Sequence, residues 1–512
     1  MTTARVFQPQ FFLDKNSKTS LQQQISEQII KFIEKGVLQP GEGLLSIRDF
    51  SENYQVSRNT VTFAFEKLSA EGWIETRPGA LARVSSYLTI PRTLPTASGF
   101  SGPGSAGNRL IEPIRTAEPC SALSLPLQDK EIDFRLNAIP IKIVSRILSN
   151  NHSTLAHATA LCSCLRPEGS VELRTAIAHH IAISKGIQAS AQQIIIVNGT
   201  QEALAIIGFL FCNEGRDILI ENPCYRGAYN LFSAMKGNIH FRGVDEEGMI
   251  CADMPSWEAL VYITPSHQFP LGMMMGEKRR LELAAWARNT GSLIIEDDYD
   301  GDFFYENSSR HTLASLAPAH TLHLGSFSKT LGPGIRLGFI VCPPRLVQDM
   351  VSAKSILSAS TSALGQRIAT DLLTTNAFAA HLRRLRRHCM TLRDMLVKIL
   401  SDFGGSISGQ HGAMHICWTL PDTAPSAQFI QRTLRQRGIR IYVTADIAFI
   451  QAASGMDRQL FIGYGAASLD DIYTLHAALR WILKKDSQAE PQFWASEANA
   501  LCNALSSPSA LA

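Results

Sequence analysis

The chain has 512 residues, a net charge of +3, 18% charged residues and 45% hydrophobic residues. That length predicts two or three domains with a large core, and the near-neutral balance excludes a globally basic nucleic-acid coat. No apolar run reaches about 18 residues, which excludes a helical membrane span, and ten scattered cysteines without a CxxC or His/Cys cluster predict reduced thiols and no metal site.

The opening MTTARVFQPQFF lacks a secretion-signal pattern, so a cytoplasmic protein is expected. Leu21 to Gly36 reads as an amphipathic helix with Leu21, Ile25, Ile29 and Phe32 at i, i+4 spacing. After the Pro40-Gly41 turn, a second helix is predicted from Ser46 to Tyr54, capped by Ser46. Ser57 caps a third, with Val61, Phe65 and Leu68 on its inner face. Trp73–Thr76 and Ala82–Ser85 read as short strands about Pro78-Gly79. Three helices and a β-wing make a winged helix-turn-helix (α+β). Its third helix presents Ser57, Arg58, Asn59 and Thr60 where a recognition helix meets bases and phosphates. Arg48 and Arg77 add candidate backbone contacts. Residues 1–85 hold ten Lys and Arg against nine Asp and Glu, so charge alone does not point to DNA.

The stretch LQQQISEQIIKFIEKGVLQPGEGL, followed by SIRDFSENYQVSRNTVTFAFEKLSAEGWIETRPG, resembles the GntR family of bacterial regulators. The DNA-binding domain is placed at 15–85. Residues 86–130 are rich in Pro, Gly and Ser and are expected to be a flexible linker.

From about 131 to 485, apolar β-like runs alternate with helical patterns. The runs are 194–197, 217–220, 259–263, 292–295, 321–324 and 337–341; the helices include 201–211, 277–289 and 346–357. That alternation predicts an α/β domain with a mostly parallel sheet, whose ligands bind at the carboxyl ends of strands.

Five strand ends carry the candidate chemistry. The turn at Gly199-Thr200 opens into a helix and leaves amide N–H groups for an anion. Tyr225 offers a ring for stacking. His267 sits in the loop Thr264-Pro-Ser-His-Gln-Phe-Pro-Leu-Gly272. Glu296-Asp-Asp-Tyr-Asp300 puts four carboxylates in five residues, which calls for a cation: a metal ion or a protonated ring. In the second case a single carboxylate faces a pyridinium nitrogen and Tyr299 donates to a phenolate. The fifth strand delivers Gly325-Ser-Phe-Ser-Lys-Thr330 and then Arg336. An amine, Lys329, stands among small hydroxyl residues, Ser326 and Ser328, with a guanidinium beyond. Amine, phosphate cradle, stacking aromatic and acid together are what pyridoxal 5′-phosphate requires.

Residues 131–485 resemble the fold-type I aminotransferase class I/II family. TPSHQFPLG, IIEDDYDGDF and GSFSKTLGPGIRLGF are similar to the MocR subfamily, in which a GntR head is fused to an aminotransferase-like domain. The resemblance implies a pyridoxal phosphate-dependent transferase fold with a small C-terminal α/β subdomain. It also implies a Schiff base between Lys329 and the cofactor, a phosphate held by Arg336, Ser326, Ser328 and Gly199-Thr200, Asp297 (with Asp298 as the fallback) at the pyridine nitrogen, Tyr299 at the ring hydroxyl, Tyr225 stacked on the ring, and a homodimer reading paired DNA half-sites. Phe461 stands where aminotransferases place the arginine for a substrate carboxylate; Arg458 lies nearby and is the candidate for that role.

The expected function is a transcription regulator in which a small amine, an amino acid or a B6 vitamer acts at Lys329 to change DNA binding. The alternative is a working aminotransferase with a residual DNA-binding head. The basic segment His381–His388 reads as a solvated helix face, and the tail 486–512 carries no assignment.

Overall fold

The computed structural model describes residues 10–85 and 131–484, apart from 16, 18, 36, 77–79, 137, 150–164, 213–214, 306–310, 376 and 451–455. Arg77, Gly36, the Pro78-Gly79 turn, the linker 86–130, Cys162, Cys164 and the tail 486–512 lie outside the described residues. The chain divides into two compact units, 1–107 and 108–512.

The first unit holds helices α1 (Leu21–Glu34), α2 (Ile47–Tyr54) and α3 (Arg58–Ala70) and an antiparallel strand pair, β1 (Ile74–Glu75) and β2 (Arg83–Val84). Each helix starts where a serine oxygen accepts an otherwise unpaired backbone N–H. Ser46 Oγ accepts from Asp49 N at 3.0 Å, and Ser57 Oγ from Thr60 N at 3.1 Å. Gln55, in the left-handed region at φ 49°, ends α2. Ile25, Ile29, Phe50, Val61, Phe65, Leu68 and Val84 close the core. On α1 the deepest fourth residue is Ile33 rather than Phe32, which is half-buried. The helix turns by 100° per residue, so Ile33 completes the Ile25–Ile29 row at i+4.

The second unit is built on an eight-stranded sheet. Its strands in chain order are β3 (Ile194–Val197), β4 (Asp217–Asn222), β5 (Asn238–Asp245), β6 (Gly248–Met249), β7 (Leu260–Ile263), β8 (Leu293–Asp298), β9 (Thr321–Ser326) and β10 (Gly338–Val341). Their order across the sheet is β3-β10-β9-β8-β7-β4-β5-β6, and β9, β8, β7, β4 and β5 run parallel. β10 is antiparallel to both of its neighbours. Strands β3, β7 and β8 are buried along their whole length, as a sheet covered on both faces requires.

Helices α4 (Ile141–Ser149), α5 (Val171–Lys185), α6 (Thr200–Phe211), α7 (Glu277–Thr290), α8 (Val347–Leu357) and α9 (Ala363–Thr374) accompany the sheet. A smaller region follows. The long helix α10 (Ala377–Ser401) and α11 (Leu469–Lys484) pack with the antiparallel strands β11 (Ser406–Ser408), β12 (His415–Thr419) and β13 (Gln459–Gly463) around Trp418, Leu396 and Leu479.

The segment 381–388 is not a wholly solvated face. His381, Leu382 and Leu385 are buried while Arg383, Arg384 and Arg387 point to solvent. His381 Nε2 lies 2.8 Å from the Thr330 carbonyl, and Arg386 donates to the Asp302 carbonyl at 2.6 Å. Two of its basic residues therefore tie α10 to the loops after β9 and β8.

Candidate functional site

A cavity of about 180 Å³ opens at the carboxyl ends of β7, β8 and β9, where the parallel strands leave a crevice. It is lined by Gly199, Thr200, Tyr225, Asp297, Tyr299, Ser326, Ser328, Lys329 and Arg336, which the sequence had placed at four strand ends and the loop after the last. Gln201, Tyr262, Thr264 and Phe269 complete the lining.

At one end, Gly199 caps α6 with φ 96°, a conformation that favours glycine. A Cβ there would stand 3.5 Å from Arg336 Nη2. The first N–H groups of α6 and the Arg336 guanidinium thus border one small space, suited to a dianion such as a phosphate. Ser326 and Ser328 share its border, and Ser328 N donates to Ser326 Oγ at 3.2 Å.

The middle of the cavity is aromatic. Phe269 sits edge-on to Tyr225 (5.8 Å between ring centres) and to Tyr299 (5.9 Å). The Tyr225 hydroxyl lies 3.3 Å from Gln201 Oε1. Phe269 N donates to Thr264 Oγ1, which in turn donates to the buried Glu221 Oε2 at 2.6 Å. Burial pushes the Glu221 carboxyl up to about 7.

At the far end the strand alternation sorts the acidic cluster. Successive residues of β8 face opposite sides of the sheet. Glu296 and Asp298 face away from the cavity. Glu296 accepts from Leu313 N and Ala314 N and lies 3.1 Å from His323 Nδ1; Asp298 is paired with Lys185 of α5. Asp297 faces the cavity. Burial pushes its carboxyl up to about 7, against the pull of a 2.8 Å hydrogen bond from the Tyr262 hydroxyl to Oδ2. Its Oδ1 is buried without a hydrogen-bond partner. A buried carboxylate oxygen left open to an aromatic slot fits a protonated ring nitrogen. Among the described residues no group of three or more His, Cys, Asp or Glu side chains is placed to hold an ion.

Lys329 is half-buried, and burial of its amine lowers it to about 8 against the opposing attraction of Asp300 and Asp297. An amine near that value supplies a neutral nucleophile at moderate pH.

Two sequence-predicted residues lie elsewhere. His267 does not line the cavity: its Nδ1 is 2.8 Å from Asp300 Oδ1 in a fully buried pair. Arg458 donates to the carbonyls of Pro421, Leu420 and Ala424 in the smaller region, so its guanidinium is spent on backbone. Phe461, at the position where a substrate arginine was sought, is fully buried on β13. Conversely, Tyr262 was legible only as a strand residue. It pairs in register with Ile295, and Asp297 is two residues on, on the same face.

In the first unit, Ser57, Arg58 and Asn59 are exposed at the start of α3, and Thr60 is half-buried with its hydroxyl 2.8 Å from Ser57 Oγ. Arg48 lies 3.0 Å and Arg58 3.7 Å from the same carboxylate oxygen of Glu52.

Comparison with known proteins joins these two halves. The bacterial regulatory proteins of the gntR family match residues 21–84, and the aminotransferase class I and II family matches residues 130–450. The probable rhizopine catabolism regulatory protein MocR of Rhizobium meliloti is 31% identical over 383 residues, covering 73% of this chain and 76% of that one. The pyridoxine biosynthesis transcriptional regulator PdxR of Corynebacterium glutamicum is 26% identical, covering 93% and 97%. The α-aminoadipate aminotransferase LysN of Thermus thermophilus superposes with a TM-score of 0.61 at 23% identity, covering 73% of this chain and 97% of that one, a likeness of fold. A DNA-reading head and an aminotransferase body, matched along one chain by regulators of the same composition, place this protein among the MocR-type HTH transcriptional regulators, whose aminotransferase class I and II domain takes pyridoxal 5′-phosphate.

Proposed function

We propose that the protein reads paired DNA half-sites as a cytoplasmic homodimer through Arg48, Ser57, Arg58, Asn59, Thr60 and Arg77, and that a small ligand at Lys329 changes its affinity for DNA. The observation that carries the ligand half is the convergence of Lys329, Asp297, Tyr299, Tyr225 and Arg336 on one cavity. In this reading Arg336, Ser326, Ser328 and the Gly199-Thr200 turn hold the phosphate. Asp297 holds a proton on the ring nitrogen, Tyr299 faces the ring hydroxyl, and Tyr225 covers the ring. Pyridoxal phosphate supplies an aldehyde that a primary amine can reach, and an electron-withdrawing ring. Phe269 and Tyr262 shield the slot from water. Ligand binding that favours one arrangement of head and body shifts DNA affinity by its differential affinity for the two.

The effector is a small amine, an amino acid or a B6 vitamer. The name of the Corynebacterium relative favours the vitamer. The diversion of Arg458 to backbone carbonyls favours sensing over transamination, because a bidentate clamp orients a substrate carboxylate for turnover. A visible-absorbance titration of the full chain with vitamers and amines, read beside DNA mobility shift, tests the proposal. A new absorbance band together with a change in DNA affinity, both absent in Lys329→Ala, is the expected result. DNA affinity indifferent to every vitamer and amine that changes the spectrum overturns it. Sustained keto-acid-dependent turnover supports an aminotransferase instead.

A further inference from the structure

We propose that His267 and Asp300 form a buried positioning pair that holds a carboxylate beside Lys329 and so sets when that amine is charged; this rests on the reading of Lys329 as the aldehyde-binding amine. Lys329 stands between two cavities. One is the ring slot. The other is a space of about 10 Å³, room for about one water, lined by Asp300 and Lys329 together with Tyr299, Ser326 and Thr330.

Asp300 follows β8 directly, so the strand that presents Asp297 to the slot also delivers Asp300 to the space behind it. His267 Nδ1 lies 2.8 Å from Asp300 Oδ1, and both side chains are at most 1% exposed. The imidazole is fixed: Phe304 packs against it at 5.0 Å between ring centres, and a Cβ at Gly412 would lie 1.8 Å from Nε2. With Nδ1–H donated to Asp300 and Nε2 buried without a partner, the ring serves one bond. Asp300 Oδ2 is buried and has no hydrogen-bond partner.

The same small space is also lined by His180, Lys185, Asp298 and Asp302, where Lys185 pairs with Asp298 and lies 3.8 Å from Asp302. Burial drives His415 down to about 4, and its Nε2 is engaged with the Pro270 carbonyl at 2.9 Å. Burial raises Tyr299 and Tyr464 well above the usual phenol value. Asp297 and Asp300 are the two carboxylates that attract the Lys329 ammonium. Of the two, Asp300 exerts the larger attraction on the Lys329 ammonium, opposing the burial that lowers it. An ammonium must lose its proton before its nitrogen can bond to an aldehyde carbon. Asp300 therefore delays that loss, and His267 holds Asp300 in place.

The test is the pH profile of Lys329 acylation by acetic anhydride in the full chain stripped of cofactor, counted by mass spectrometry. Asp300→Asn is expected to lower the midpoint by about one pH unit or more, the size of shift one nearby opposite charge produces. His267→Phe, which keeps a ring but removes the donor, is expected to move it the same way, and His267→Asn to restore it. The same variants are also loaded with pyridoxal phosphate and titrated by visible absorbance. If Lys329 in the parent protein never acquires the cofactor, the underlying reading of Lys329 fails. If it does, and both Asp300→Asn and His267→Phe keep the parent midpoint, the pair has no such role.

Discussion

Tyr262 donates to Oδ2 of Asp297 at 2.8 Å, while Oδ1 of the same carboxyl stays buried and unpaired. The two residues sit on adjacent parallel strands, so the bond is fixed by sheet register and not by a loop. Half of the carboxylate is thus satisfied from within, and half is held for a ligand. Tyr262→Phe removes the donor that opposes burial and raises Asp297 further. We expect the variant to fold and to retain pyridoxal phosphate about tenfold less tightly, since a hydrogen bond to a charged group contributes about 1.5–3 kcal/mol. Equilibrium dialysis of the cofactor against parent and variant checks it; equal retention would remove Tyr262 from the site.

The pH dependence of two carboxyls in the cofactor-free protein has a definite sign. Asp297 and Glu221 are both pushed by burial to about 7, above their unfolded values. A carboxyl whose folded value is raised binds its proton more tightly when folded. Its contribution is full below the unfolded value, near 4, and is lost as pH rises through about 7. Lys329, lowered to about 8, and His415, lowered to about 4, slope the other way, above about pH 7 and between about pH 4 and 6.5 respectively. The contribution of these two carboxyls, read as the difference in melting temperature between the cofactor-free parent and Asp297→Asn or Glu221→Gln, is therefore expected to fall between about pH 5 and pH 7. Pyridoxal phosphate should flatten the slope by giving Asp297 a cationic partner, and Glu221→Gln should flatten it in part. Thermal melts across that range decide; a rising difference refutes the assignment.

Gly199 and Arg336 make a second pair whose contact is testable. At φ 96° and ψ 174° Gly199 occupies backbone space that other residues adopt at a cost of about 1–3 kcal/mol. A methyl group at Gly199 would meet the Arg336 guanidinium only in ordinary van der Waals contact, so the cost lies in the backbone. Gly199→Ala is expected to lose cofactor retention by more than tenfold while the head still binds DNA. A mobility-shift assay beside the visible spectrum separates the two effects.

In the head, Ser57 has a structural job that precedes any contact with DNA. Its Oγ accepts from Thr60 N and lies 2.8 Å from Thr60 Oγ1. Ser57→Ala is expected to cost about 1 kcal/mol of helix stability. Arg58→Ala leaves that cap intact and should instead weaken DNA binding, lowering the salt slope by about one if the guanidinium meets a phosphate. Urea unfolding and salt-dependent binding, measured on both variants, are expected to give opposite patterns.

Much of this architecture was legible in the sequence because burial on both faces writes strands as unbroken apolar runs. Ile194–Val197, Leu260–Ile263 and the start of β8 announce themselves that way. β5 did not: Asn238-Ile-His-Phe-Arg-Gly-Val-Asp245 lies near the sheet edge, is half-buried, and alternates with polar residues. Lys329 and Arg336 were legible because small residues and glycines crowd them in one short run. The sorting of the acidic cluster was not, since it needs the strand to continue through Asp298 and needs a counter-charge from far away. Lys185 is 113 residues distant in sequence. His267 was read at a strand end, where ligand groups gather, but its ring follows the nearest buried carboxylate, Asp300, and turns away from the cavity. Arg458 was sought for a carboxylate and found three backbone carbonyls, a preference that only the tertiary fold reveals.

The two neighbouring acids give the sharpest contrast. Asp298 is held well on the ionised side by Lys185 and His323 despite full burial, and Lys185 also lies 3.8 Å from Asp302. Asp298→Asn leaves that lysine buried beside Asp302 alone, and breaking a buried pair costs about 3–5 kcal/mol. Asp297, by contrast, forms no ion pair among the described residues, and burial disfavours its ionised form. Asp297→Asn should therefore leave the cofactor-free protein at least as stable at alkaline pH, while abolishing the visible band or shifting it by loss of the ring-nitrogen partner. Chemical unfolding without cofactor and spectra with it, run on both variants, distinguish an acid that holds the fold from an acid that holds the ring. If the two variants exchange these phenotypes, the strand alternation that assigns Asp297 to the slot is wrong, and with it the whole sorting of the cluster.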